Sequence, residues 1–165
     1  MSATERWQVS GSAAYDYERF VASWFESWAV DLVARAGPRS GSRMLEVACG
    51  TGILTRVAGP LVGSSGTIVA SDLNDTMLAE ARLHPVDGAP VEWRRADAAD
   101  LPFGSLTFDA VLCQQGLQFV PATTPAVGEM RRARMIDDTV DALTEYVIDD
   151  ELRVSNSADV VIARA

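Results

Sequence analysis

A chain of 165 residues with 14 basic residues against 23 Asp plus Glu carries a formal net charge of -9, and all of its basic residues are arginine. A field of that sign repels phosphate backbones and anionic membrane surfaces, which argues against nucleic acid as a partner. The length suits one domain able to bury roughly 70% of the surface its unfolded form exposes. Cys49, Cys113 and the single histidine, His84, are too few and too scattered for a zinc site, and the two cysteines, each inside an apolar segment, are expected as buried free thiols. No apolar run of signal length opens the sequence and no window approaches the ~18 apolar residues of a membrane span, so a cytoplasmic protein without membrane contact is expected.

Taken in chain order, Phe20, Val21, Trp24, Phe25, Trp28, Leu32 and Val33 recur at three- and four-residue spacing between Tyr15 and Arg35, which predicts one or two amphipathic helices. "GPRSGS", from Gly37 to Ser42, ends them. "RMLEVA" reads as a short strand, and after a Gly-Thr-Gly turn "ILTRVAGPLVG" opens a helix expected to stop near Gly59-Pro60. "GTIVASDLN" is a second strand ending on a carboxylate, and "NDTMLAEARL" begins a helix with Asx and Thr capping candidates. A third strand is expected from Val91 to Arg95 and a fourth from Ala110 to Cys113.

Strands alternating with helices over short connections predict an α/β fold, a mostly parallel sheet with helices on both faces. Beyond Pro125, apolar residues from Val127 to Val147 step by three or four, as one long helix or as two broken near Ile136 to Thr139; a last strand is expected from Val160 to Ala163. One domain, 1–165, thus divides into N-terminal helices (1–36), a core (42–124) and a long helix with the final strand (125–165).

The turn in "LEVACGTGIL" lets main chain approach a ligand, with free N-H groups at the following helix start. A dinucleotide is disfavoured, because Thr55 fills the third slot of the G-x-G-x-x-G pattern and Glu46 places negative charge beside the turn. An acidic neighbour suits a ligand with a cationic amine or sulfonium. Cys113, Leu117 and Phe119 read as packing residues, and His84, before Pro85, as a surface residue rather than a general base.

"LEVACGTG" resembles the first motif of class I S-adenosylmethionine-dependent methyltransferases, with Ala48 where the first glycine often stands. The later segments resemble the remaining motifs in order. Asp72 is similar to the acid that takes both ribose hydroxyls, as a bidentate acceptor can, and Leu73 and Met77 to the apolar residues around adenine. "ADAADLPF" resembles the third motif, implying that Asp97 accepts from the adenine amino group beside the Ala98 main chain. "FDAVLCQQGLQFVP" resembles the fourth, with Gln114 and Gln115 beside the methionine end. Tyr17, in "YDYERF", is similar to an N-terminal aromatic that caps that end, while Gly50, Gly52 and Glu46 complete the first motif. "CQQGLQF" followed by "VGEMRRA" is similar to the type 11 subgroup, which includes ubiquinone and menaquinone C-methyltransferases.

The resemblance runs from about Tyr15 to Ala133 and implies a Rossmann-like three-layer sandwich, S-adenosylmethionine as cofactor, and methyl transfer to a small-molecule acceptor. It assigns no catalytic base. The alternative is a cofactor-binding or dimerisation module without turnover. After "EMRRA" the sequence passes directly to a stretch that resembles the family's tail, so the fifth strand and substrate lid are expected to be missing. A fourth strand without its neighbour is an association hazard. Either "DVVIARA" pairs beside it within one chain, or a second copy covers it, and a helix of about 34 Å, at ~1.5 Å per residue, would reach such a copy. The expectation is a homodimer with swapped strands.

Overall fold

The structure, a computed structural model, describes residues 11–133, 147–148, 151–152 and 160–162. Two helices open it, α1 (Ala13–Phe20) and α2 (Ala22–Ala36), broken at Val21 and closed by Gly37, whose N-H donates to the Val33 carbonyl at 2.9 Å. There follow β1 (Arg43–Val47), α3 (Ile53–Val62), β2 (Thr67–Asp72), α4 (Asp75–Ala81), β3 (Val91–Arg95) and β4 (Ala110–Cys113). A 3-10 turn at Leu117–Phe119 leads to α5 (Thr123–Ala133), and β5 (Val147–Ile148), β6 (Glu151–Leu152) and β7 (Val160–Ile162) complete the described elements.

The sheet order is β3-β2-β1-β4-β7, with the first four strands parallel and β7 antiparallel on β4. Strand residues alternate between two apolar layers, as a period of two requires. Leu45, Val47, Val69, Val111 and Cys113 face Val127 and Met130 of α5, whereas Met44, Ile68, Ala110 and Leu112 face Leu32 and Val33 of α2 and Leu54 and Ala58 of α3. Helices therefore cover both faces, the sandwich expected from the strand-helix alternation. Strands so enclosed carry apolar residues on both faces, as do Met44, Leu45 and Val47 of β1 and all of "AVLC".

Three expectations change. The helix after the glycine turn does not stop at Gly59-Pro60 but carries Pro60 inside it to Val62. Pro60 removes one main-chain donor, yet Ala58 and Val62 are fully buried, and burying that face holds the last turn. The long helix is described from Thr123 to Ala133; Val147, placed at its end by periodicity, begins a strand instead, and residues 134–146, with Ala163, lie outside the described residues. Finally, β4 is not left open: Val111, Leu112 and Cys113 pair with Ile162, Val161 and Val160 of the same chain. Of the two covers expected for that edge, the intramolecular one is present.

Candidate functional site

The C-terminal ends of β1 and β2 are laced together by main chain. Ser71 Oγ donates to the Glu46 carbonyl at 3.0 Å, and the Cys49 N-H donates to the Ser71 carbonyl at 2.9 Å. Asp72 ends β2 with both oxygens in use, since Oδ2 accepts from the Gly50 N-H and Oδ1 from the Asn74 N-H, each at 2.8 Å. Asn74 then caps α4, its side chain accepting from the Thr76 N-H at 2.9 Å. One carboxylate thereby fixes the glycine turn on one side and the start of α4 on the other, with a third main-chain hydrogen bond from Leu73.

The turn itself is crowded. Ala48 has φ +56° and Gly52, the residue before α3, φ +83°. A Cβ on Gly52 would lie 2.6 Å from the Trp93 ring, so this glycine serves the packing of α3 against β3 as well as the turn. Across from it Gln115, after β4, has φ +51°, and Gly116 leaves no room for a Cβ against Ala48. Left-handed non-glycine residues on both sides of one crevice are strain concentrated at a site.

Between these turns and the N-terminal helices lies a cavity of about 300 Å³. Of the residues singled out from the sequence, Tyr17, Glu46, Ala48, Gly50, Asp72, Met77, Gln114 and Gln115 line it. Gly52, Leu73, Asp97 and Ala98 do not. Gly52 faces Trp93, the Leu73 carbonyl accepts from Arg95 Nε at 3.1 Å, Asp97 Oδ1 accepts from the Ala99 N-H at 2.9 Å, and Ala98 packs beside the α5-side core. The cavity also takes Phe25, Ile53, Asn74 and Phe119. Phe119 is a correction, because a residue read as packing is 53% exposed at the mouth; Cys113 and Leu117 are core residues as expected. His84 is elsewhere, its Nε2 3.1 Å from Glu80 Oε1. Periodicity alone had no means of separating Phe25 from its neighbours on α2, whereas Asn74 was marked by its capping position.

The electrostatics of the cavity are one-sided. Glu46 is 2% exposed and accepts from the Thr55 hydroxyl, which explains a threonine where a dinucleotide turn carries glycine or alanine. Burial, reinforced by nearby Asp72 and opposed by the Thr55 hydrogen bonds and Arg56, pushes its carboxyl up to about 8. Burial also raises Asp72, against main-chain hydrogen bonds that lower it, and raises the Tyr17 phenol with help from Glu18, Glu46 and Asp72. Cys49 and Cys113 are thiols for the same reason, the latter pushed up to about 12. No arginine lines the cavity among the described residues. With no lining cation among the described residues, Glu46 keeps its proton until a positive centre beside it favours the carboxylate. With Asp72 as an acceptor, the site therefore fits a ligand bearing a positive centre and two adjacent hydroxyls and does not fit a pyrophosphate.

Comparison with known proteins gives the class first. Residues 45–134 match the family model described as "Methyltransferase domain", and the chain belongs to that family. Among its relatives, the ubiquinone/menaquinone biosynthesis C-methyltransferase UbiE of Teredinibacter turnerae is 38% identical over 108 residues, 64% of this chain and 43% of that protein. The enzyme of the same name from Pseudomonas paraeruginosa is 39% identical over 108 residues, 64% of this chain and 42% of its own length. The chain thus spans less than half the length of these curated relatives. Among solved structures, phosphoethanolamine N-methyltransferase 2 of Haemonchus contortus superposes with a TM-score of 0.64 at 25% identity, over 80% of this chain and 32% of that one. The protein YcgJ of Bacillus subtilis superposes at 0.59 and 22% identity, over 67% and 47%.

Proposed function

We propose that this chain binds S-adenosylmethionine and transfers its methyl group to a small-molecule acceptor. The observation that carries the reading is the cavity at the C-terminal edge of a parallel sheet, lined by Glu46 and Asp72 and by no cation among the described residues, with Asp72 gripping the glycine turn. In support stand the family and the methyltransferases among its relatives. Asp72, at the cavity wall, takes the ribose hydroxyls. Gly50 gives close main-chain approach, Glu46 and Tyr17 face the charged end, Gln114 and Gln115 flank the methionine end, and Met77 with Leu73 borders the adenine. Asp97 and Ala98 belong to the adenine edge, which requires their loop to close on the ligand.

The cofactor supplies an activated methyl on a sulfonium, and transfer is a displacement in which the acceptor's electron pair forms the new bond while the carbon-sulfur pair returns to sulfur. The chain contributes position and the exclusion of water rather than a base. Phe25, Ile53 and Phe119 give the acceptor side an apolar, aromatic lining, which favours a flat or apolar acceptor. Calorimetric titration with S-adenosylmethionine, S-adenosylhomocysteine and NAD tests the binding: affinity for the first two and none for NAD is expected, and the reverse sinks the reading. Product detection across quinols, phenols and amines then tests transfer.

A cytoplasmic homodimer with exchanged β7 strands is part of the proposal. The pairing of Val160 to Ile162 on β4 is intramolecular in the structure; in the proposed dimer the same strand comes from a second copy. Light scattering at micromolar concentration giving the mass of one chain removes the dimer, and cell fractionation tests the compartment.

A further inference from the structure

The helix that brings Tyr17 to the cavity has little apolar anchorage. In α1 the buried residue is Ala14, while Tyr15 and Phe20 are 51% and 57% exposed. Its polar tie runs through α3. Glu18 Oε1 accepts from Arg56 Nη2 at 2.6 Å, and Arg56 Nη1 donates to the Thr51 carbonyl at 2.8 Å. The Arg56 and Glu18 side chains are 25% and 16% exposed, so water screens this pair less than a surface pair.

One guanidinium therefore joins the residue after Tyr17 to the residue between Gly50 and Gly52. A planar fork with two divergent donors permits this, and a lysine ammonium does not reproduce it. Glu18 Oε2 and Thr51 Oγ1, on the two residues so joined, are buried without hydrogen-bond partners among the described residues. The closed arrangement combines a charge-assisted bond with unspent polar capacity at both ends. Such a tie opens more readily than the sheet beneath it.

We propose that Arg56 is a positioning residue that couples the glycine turn to the N-terminal helix and holds Tyr17 over the cavity, so that the tie slows the escape of a ligand seated on the turn. The coupling to ligand rests on the cofactor reading above; the tie itself does not.

The test uses Arg56→Met, Glu18→Gln and the charge-exchanged double variant Glu18→Arg with Arg56→Glu. Amide hydrogen exchange is followed on the ligand-free protein, and S-adenosylhomocysteine dissociation by stopped flow. In each single variant, α1 amides are expected to exchange about tenfold faster while β1 and β2 amides keep their rates, and the ligand to dissociate about tenfold faster, the size of one charge-assisted hydrogen bond. The double variant remakes the ion pair but has no donor for the Thr51 carbonyl, so it recovers slow α1 exchange and not slow dissociation; recovery of both shows that the Thr51 bond is idle and overturns the coupling. Unchanged α1 exchange in Arg56→Met overturns the proposal, as does acceleration of β1 and β2 by the same factor, which marks a general loss of stability. An α1 response in a protein that binds no S-adenosylhomocysteine supports the positioning of Tyr17 and overturns the cofactor reading instead.

Discussion

The two walls of the cavity are held by different bonds. On the β1-β2 wall the strands run in continuous parallel register from Arg43↔Thr67 to Val47↔Ser71, and main-chain donors continue the lacing through Cys49 and Gly50. On the helical wall, side chains make the ties: Gln114 Nε2 donates to the Phe25 carbonyl at 3.0 Å, Tyr17 stacks on Phe25 at 6.4 Å, and Arg56 grips Glu18. A main-chain ladder opens only with the sheet, whereas each side-chain tie breaks alone. The difference separates a wall fixed by the sheet's main chain from a cover fixed by side chains.

The largest effect is expected at Glu46, a titratable side chain buried in the rigid wall. The folded protein keeps a proton on it up to about 8, against 4.5 ordinarily. The folded state therefore binds more protons than the unfolded chain across that window. This contribution to stability is intact below pH 4.5 and is lost as pH rises through about 8. A loss on the order of 4 kcal/mol is the scale of such a shift. Glu46→Gln keeps an acceptor for Thr55 and should flatten the curve, becoming the more stable protein at pH 8 in urea unfolding. Equal slopes for both proteins from pH 5 to 9 would refute the assignment.

Asp72→Ala comes next, since it unties both the turn and α4 while removing the proposed ribose acceptor. About a hundredfold weaker binding of S-adenosylhomocysteine is expected, as for two hydrogen bonds to a charged group. Retained affinity in calorimetry would show that the β1-β2 wall is not the seat. Gly52→Ala tests the rigid wall away from ligand. Its Cβ meets Trp93 at φ +83°, so unfolding stability should fall by about 2 kcal/mol. Adding Trp93→Leu should recover the part due to the clash, and no recovery would assign the loss to the backbone alone.

The same division explains what could be read without the structure. β4 falls on Ala110–Cys113 because a buried parallel strand leaves a local apolar run, and the edge strand β3 falls on Val91–Arg95, where half-buried Val91 and Trp93 alternate with exposed Glu92 and Arg94. Glu46, Gly50 and Asp72 were legible because main-chain geometry ties a residue's place to its neighbours in sequence. The cover was not. Arg56 and Glu18 are 38 positions apart, and Gln114 and Phe25 are 89 apart. Such pairs leave no periodic trace. Phe119 was misread because an aromatic in an apolar stretch has the same pattern whether it faces core or cavity. The passage of α3 through Pro60 was hidden because burial of Val62 outweighs a local helix-breaking signal.

The smallest effect is expected at Ala48, where the family's first motif often has glycine. Its φ of +56° costs an L-residue about 1 kcal/mol relative to glycine. Against that stands a methyl packed beside the α5-side core and against Gly116, which Ala48→Gly would remove. The backbone term should win by about 0.5 kcal/mol, because the methyl is only partly buried and so offsets part of the strain. Thermal unfolding should therefore show a slightly more stable variant with unchanged S-adenosylhomocysteine affinity. A less stable variant would mean that the methyl braces the β1 turn against Gly116, making the seat depend on a side-chain contact as the cover does.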